Sequence, residues 1–76
     1  MEGEKTLKVS TFFFLAMCYE NLKEYKKGMI NFKKTLTLDV NHFGASIHLA
    51  NMLANVGEGQ RAAKYFMHAL KICPEE

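Results

Sequence analysis

Two cysteines, a single proline and a net charge of +2 among 76 residues exclude several kinds of protein at the outset. Cys18 and Cys73 are too few and too far apart for a disulfide framework, so apolar packing of two reduced thiols is expected, in an intracellular, cytoplasmic setting. One proline, with no Ser/Gly-rich or low-complexity tract, leaves nothing to divide the chain into separate domains. The small net charge argues against nucleic acid, whose binders concentrate basic residues. Long apolar runs are also lacking. The longest, Phe12-Phe13-Phe14-Leu15-Ala16-Met17-Cys18, falls far short of the roughly 20 residues of a membrane span, so no membrane insertion is expected. With Lys5 and Lys8 ahead of it this run mimics a lipoprotein signal, but Met17 is too large for the residue before a cleavage point. Residues 1–8 supply no other address.

Catalytic chemistry is missing as well. His42, His48 and His68 do not combine with each other or with the cysteines in a metal-ligand spacing such as H-x3-H or C-x2-C. Gly57-x-Gly59 is too short for a phosphate loop and follows a helical stretch rather than a strand. No nucleophile has a base at a suggestive spacing. The expectation is a protein that is not an enzyme, with no catalytic residue, no metal, no cofactor and no small-molecule substrate.

What the chain does have is 49% hydrophobic residues, enough for a folded core, and an internal repeat. Shifting the sequence by 34 residues aligns Leu15 with Leu49, Ala16 with Ala50, Asn21 with Asn55, Glu24 with Glu58, Phe32 with Phe66 and Leu36 with Leu70. Conservative pairs join them, among them Gly28 with Ala62 and Lys27 with Arg61. Apolar residues at spacings of three and four predict four helices, over about 9–22, 25–38, 43–56 and 60–72. The first carries a stripe of Phe12, Leu15, Ala16, Tyr19 and Leu22. Between the helices stand a break near Lys23-Glu24, a turn at Asp39–His42 whose Asp39 and Asn41 can bond the local backbone, and Gly57-Glu58-Gly59, where glycine admits positive φ. Pro74 ends the fourth.

These residues resemble the tetratricopeptide repeat, a 34-residue helical hairpin with a W-x2-L-G-x2-Y…A-x3-F…P pattern. The first unit shows Phe12-x2-Leu15-Ala16-x2-Tyr19 and Gly28-x3-Phe32; the second shows Leu49-Ala50-x2-Leu53, Ala62-x3-Phe66, Ala69 and Pro74. Ser46 departs from a large aromatic, Leu53 from tyrosine, Thr35 from a small residue and Val40 from proline, which leads us to expect a looser second unit. The resemblance implies an all-α fold of two tandem helix-turn-helix hairpins, a fragment of a right-handed α-solenoid. Its expected parts are a polar lead-in over 1–8, one repeat over 9–42 and a second over 43–76.

The resemblance further implies a non-catalytic scaffold whose first helices line a concave groove for a peptide or amphipathic helix of another protein. Matched position by position, that groove presents Phe13, Met17, Asn21, Ile47, Asn51 and Asn55, with Ser10, Glu20, Gly44 and Ala54 beside them. Phe13, Met17 and Ile47 suit an apolar ligand; alternatively they pack on a preceding repeat or a second copy. Some family members clamp the acidic tail of a chaperone with lysine, arginine and asparagine. Here Phe13 and Met17 carry no donor, and no groove lysine accompanies Asn51 and Asn55, so a co-chaperone clamp is disfavoured. Lys26, Lys27, Lys33 and Lys34 form a solvated outer face, or failing that a contact for an acidic partner. Two repeats are fewer than the three a solenoid ordinarily needs, and no polar capping helix follows Pro74 before Glu75 and Glu76. Phe66, Met67 and Leu70, with Ile72 nearby, are therefore expected to form an apolar face for self-association, giving a homo-dimer or a helix swap, unless the chain is a piece of a longer array.

Overall fold

A computed structural model describes residues 2–74; Met1, Glu75 and Glu76 lie outside the described residues. It is all-α among those residues, with α1 over Glu2–Asn21, α2 over Tyr25–Leu38, α3 over Phe43–Asn55 and α4 over Gly59–Ile72. α1 packs on α2, α2 on α3 and α3 on α4, so the helices follow one another in space as they do in sequence.

Each helix stops for a local reason. α1 closes with Glu24 N–H donating to Tyr19 C=O at 2.9 Å and Lys23 N–H to Glu20 C=O at 3.0 Å. The same pair of bonds recurs 34 residues later, from Glu58 to Leu53 and from Gly57 to Ala54. Both are Schellman closures, which require a left-handed residue just past the helix. Lys23 takes that role at φ 65° and Gly57 at φ 86°. α2 gives way to a turn in which the Asp39 carboxylate accepts from Asn41 N–H at 3.2 Å. His42 then caps α3, its Nδ1 accepting from Ala45 N–H at 3.1 Å.

Small residues set the two hairpin crossings. Ala16 and Gly28 are buried in the first, Ala50 and Ala62 in the second. A Cβ built on Gly28 lies 3.4 Å from the Ala16 carbonyl oxygen, which measures how closely the backbones approach. Phe32, Leu49, Met52 and Leu53 fill the centre, each worth about 1.5–3 kcal/mol of burial. Two polar groups enter with partners: Thr35 Oγ1 donates to Asn31 C=O at 2.9 Å, and Asn31 Nδ2 to Lys27 C=O at 2.8 Å. Ser46 Oγ is buried with no hydrogen-bond partner among the described residues.

Three expectations need correction. α1 begins at Glu2 rather than near Val9, so residues 2–8 continue the helix. Both thiols are exposed instead of packed: Cys18 shares the outward side of α1 with Leu15 and Leu22, and Cys73 stands just past the last residue of α4. Burial does not follow the quality of the motif: Ser46, Leu49 and Leu53 of α3 are buried, whereas Leu15 is 40% exposed and Leu22 68%. α3 packs between α2 and α4, whereas α1 packs mainly on α2 and meets α3 along one edge through Phe13 and Glu20, and this outweighs the quality of the motif. The stripe drawn on α1 is also rotated, since Phe13 and Met17 pack on the core while Leu15 and Leu22 face out.

Candidate functional site: the face of α1 and α3

Three side chains join α1 to α3 across one face. The carboxylate of Glu20 accepts from His48 Nδ1 at 2.9 Å, both groups being about a third or less exposed. The imidazole of His48 stacks on Phe32 of α2, with ring centroids 5.4 Å apart and 13° between planes. Phe13 sits in the angle between the hairpins, 4.5 Å from the His42 ring, 5.8 Å from Phe32 and 6.0 Å from His48. Gly44 makes room for it, for a Cβ there would lie 3.0 Å from Phe13 Cζ. Local spacing gave no hint of the Glu20–His48 pair. Its members stand 28 residues apart, one helix away from each other, and only packing brings them together.

The expected groove residues divide into two groups. Phe13 and Met17 are half-buried against the core, each leaving part of its surface to this face. Asn21, Asn51 and Asn55 are exposed amides one or two turns along the same helices. Ile47 goes elsewhere. It lines an open apolar groove of about 330 Å³ with Phe43 of α3 and with Phe66, Ala69, Leu70 and Cys73 around α4. Of the residues expected to self-associate, Phe66 and Leu70 line that groove, and Met67 is 62% exposed on α4.

The basic residues of α2 are exposed, and two of them rest over aromatics of α1: Lys27 Nζ is 5.6 Å from the Tyr19 ring centre and Lys34 Nζ 5.3 Å from that of Phe12. His68 Nε2 donates to Val40 C=O at 2.7 Å and ties α4 to the turn between α2 and α3. Among the described residues no group of three His, Cys, Asp or Glu side chains could hold a metal ion. Among the described residues no helix is long and apolar enough to cross a membrane.

Four helices in sequential contact, two hairpins closed by the same turn 34 residues apart, and a face shared by the first helix of each hairpin define an all-α helical-repeat protein. A family model for the tetratricopeptide repeat matches residues 9–42, and the four-helix architecture fits a repeat of that kind. That family is in general a non-catalytic protein-interaction fold. No curated protein matches the chain in sequence.

Proposed function

We propose that this chain is a two-unit tetratricopeptide scaffold, with units over 9–42 and 43–76, that holds a peptide or amphipathic helix of a partner protein along the face of α1 and α3. It would do so as part of a multiprotein assembly, in a reducing cytoplasmic setting that its free thiols tolerate. The observation that carries this is the composition of the face: apolar surface of Phe13 and Met17 beside the exposed amides of Asn21, Asn51 and Asn55. Apolar area supplies affinity, and amides bond a peptide backbone whatever its sequence. The Glu20–His48 bond and the Phe13 contacts hold the two helices in fixed register, so the face is preorganised.

Selection of a random peptide library against the chain tests this. Selected peptides should be apolar or amphipathic and should bind at least about tenfold more weakly to Met17→Glu and Asn51→Ala than to the unchanged chain. Asn51 is exposed, so its replacement leaves the fold intact. Peptides that bind both variants undiminished would refute use of this face.

A further inference from the structure

The α2–α3 junction inside the molecule shows which surfaces cover one another where two hairpins meet. Residues 34 apart occupy matching places, so the difference in their burial maps the surface that the junction covers. On α3, Ala45, Leu49 and Met52 are completely buried, whereas their counterparts on α1, Thr11, Leu15 and Cys18, are exposed. On α2, Phe32 is completely buried and Leu36 partly; their counterparts on α4, Phe66 and Leu70, line the open groove, and Leu70 is 54% exposed. The outer face of α1 is therefore the surface that would fit the outer face of α4, as α3 fits α2.

Two close approaches at the internal junction sharpen the match. Phe13 presses on Gly44, where a Cβ would lie 3.0 Å from the ring. The residues in the matching places at the two ends are Ile47 and Ser10, a shorter side chain facing one that has gained a Cβ. Met52 presses on Gly28, where a Cβ would lie 2.8 Å from Met52 Cε. The matching residues are Cys18 and Ala62, and again the long partner is shortened where the glycine is filled. The third contact is aromatic. His48 stacks on Phe32; its counterpart is Phe14, an aromatic that is 61% exposed on α1, and the counterpart of Phe32 is Phe66. A cavity of about 150 Å³ accommodates benzene, so the groove of about 330 Å³ beside Phe66 has room for that ring. The places matching the Asp39–His42 turn are Lys5 to Lys8, and they are helical.

We infer that this chain joins head to tail with a second copy of itself, the outer face of α1 in one copy docking on the α3–α4 groove of the next in the manner of the α2–α3 junction. Such an interface is heterologous, so it does not close at two copies, and each added copy presents a fresh groove. Leu15 and Phe14 of the incoming helix lose their exposure against Phe66 and Leu70.

Molar mass by light scattering and sedimentation velocity, from micromolar to millimolar concentration, tests this. The mean mass should rise past twice the 8.7 kDa of one copy without a plateau there. Phe14→Glu removes the head and Leu70→Glu the tail; each should raise the concentration of half-association by at least about tenfold. Both side chains are mostly solvent-facing, and circular dichroism verifies the fold; if either variant is unfolded, the alanine versions take its place. The decisive sample is an equimolar mixture of the two variants. One intact head and one intact tail remain, so it should form a species of twice the single-copy mass and nothing larger. A mixture no heavier than its components, an unchanged chain that stops at two copies, or one that stays at 8.7 kDa throughout would each overturn the inference.

Discussion

α1 and α3 present the same motif, yet one lies at the rim of the molecule and the other at its centre. Leu15 and Leu49 are the same residue at the same place in the motif, and their exposures are 40% and 0%. Ser46 is completely buried where the better match to the motif, Phe12, is partly exposed. Burial in a stacked fold is decided by the number of neighbours a helix has, and the fit of its own sequence to the pattern comes second. An aromatic suited to an interface thus stands partly exposed on α1 beside Lys34 of α2, while a serine whose hydroxyl has no partner among the described residues sits in the middle.

The largest test of that contrast is the pair Leu49→Ala and Leu15→Ala, compared by urea denaturation in dilute solution where copies are apart. Leu49→Ala should cost about 2–5 kcal/mol, as a buried leucine does when it leaves a cavity. Leu15→Ala should cost about 1 kcal/mol or less, since much of its surface is already wet. Amide exchange should follow the same order, slower through α3 than through the Val9–Asn21 part of α1. Equal costs for the two leucines would mean that α1 is covered after all, and the comparison would fail.

Spacing and self-similarity carried the fold a long way. The three- and four-residue stripes place α2 correctly from Tyr25 to Leu38, and the other helices to within a residue or so except at the start of α1. That start was illegible because Glu2 to Lys8 lack an apolar stripe, and helix continues there by propagation from a strong segment. The rotation of the α1 face was illegible for another reason. Both the Phe12–Leu15–Tyr19 row and the Phe13–Met17 row are apolar, and only the position of α3 decides which of them is covered. The same holds for Ile47, whose spacing matches Phe13 but whose neighbours are Phe66 and Leu70. Glu20 and His48 pair through tertiary packing, which no local pattern encodes.

A second contrast lies in the two hairpin turns. Lys23 and Gly57 hold matching left-handed positions with matching hydrogen bonds, but only one of them is glycine. A side chain at such a φ costs roughly 1–2 kcal/mol, part of which glycine loses again through its freer unfolded chain. Lys23→Gly should therefore stabilise the protein by about 0.5–1 kcal/mol, and Gly57→Ala should destabilise it by about 1 kcal/mol. Thermal melts of the two variants check the signs. A loss on Lys23→Gly would show that the lysine contributes more through its side chain than its backbone strains.

The smallest expected effects separate the two glycines that accept large neighbours. Adding a Cβ within a helix gains roughly 0.5–1 kcal/mol of backbone propensity, so the outcome turns on what the new atom meets. At Gly28 it meets the terminal methyl of Met52, the free end of a side chain with three rotatable bonds, and Ala62 already occupies the matching place. Gly28→Ala should stay within about 0.5 kcal/mol of neutral, propensity offsetting the displaced methyl. At Gly44 the new atom meets the Phe13 ring, which cannot swing away because Phe32, His42 and His48 surround it. Gly44→Ala should cost about 1–2 kcal/mol and loosen the junction between hairpins. Denaturation midpoints at equal protein concentration rank the two. If Gly44→Ala proves neutral, the Phe13 ring has room to move, and the preorganisation ascribed to the α1–α3 face loses its mechanical basis.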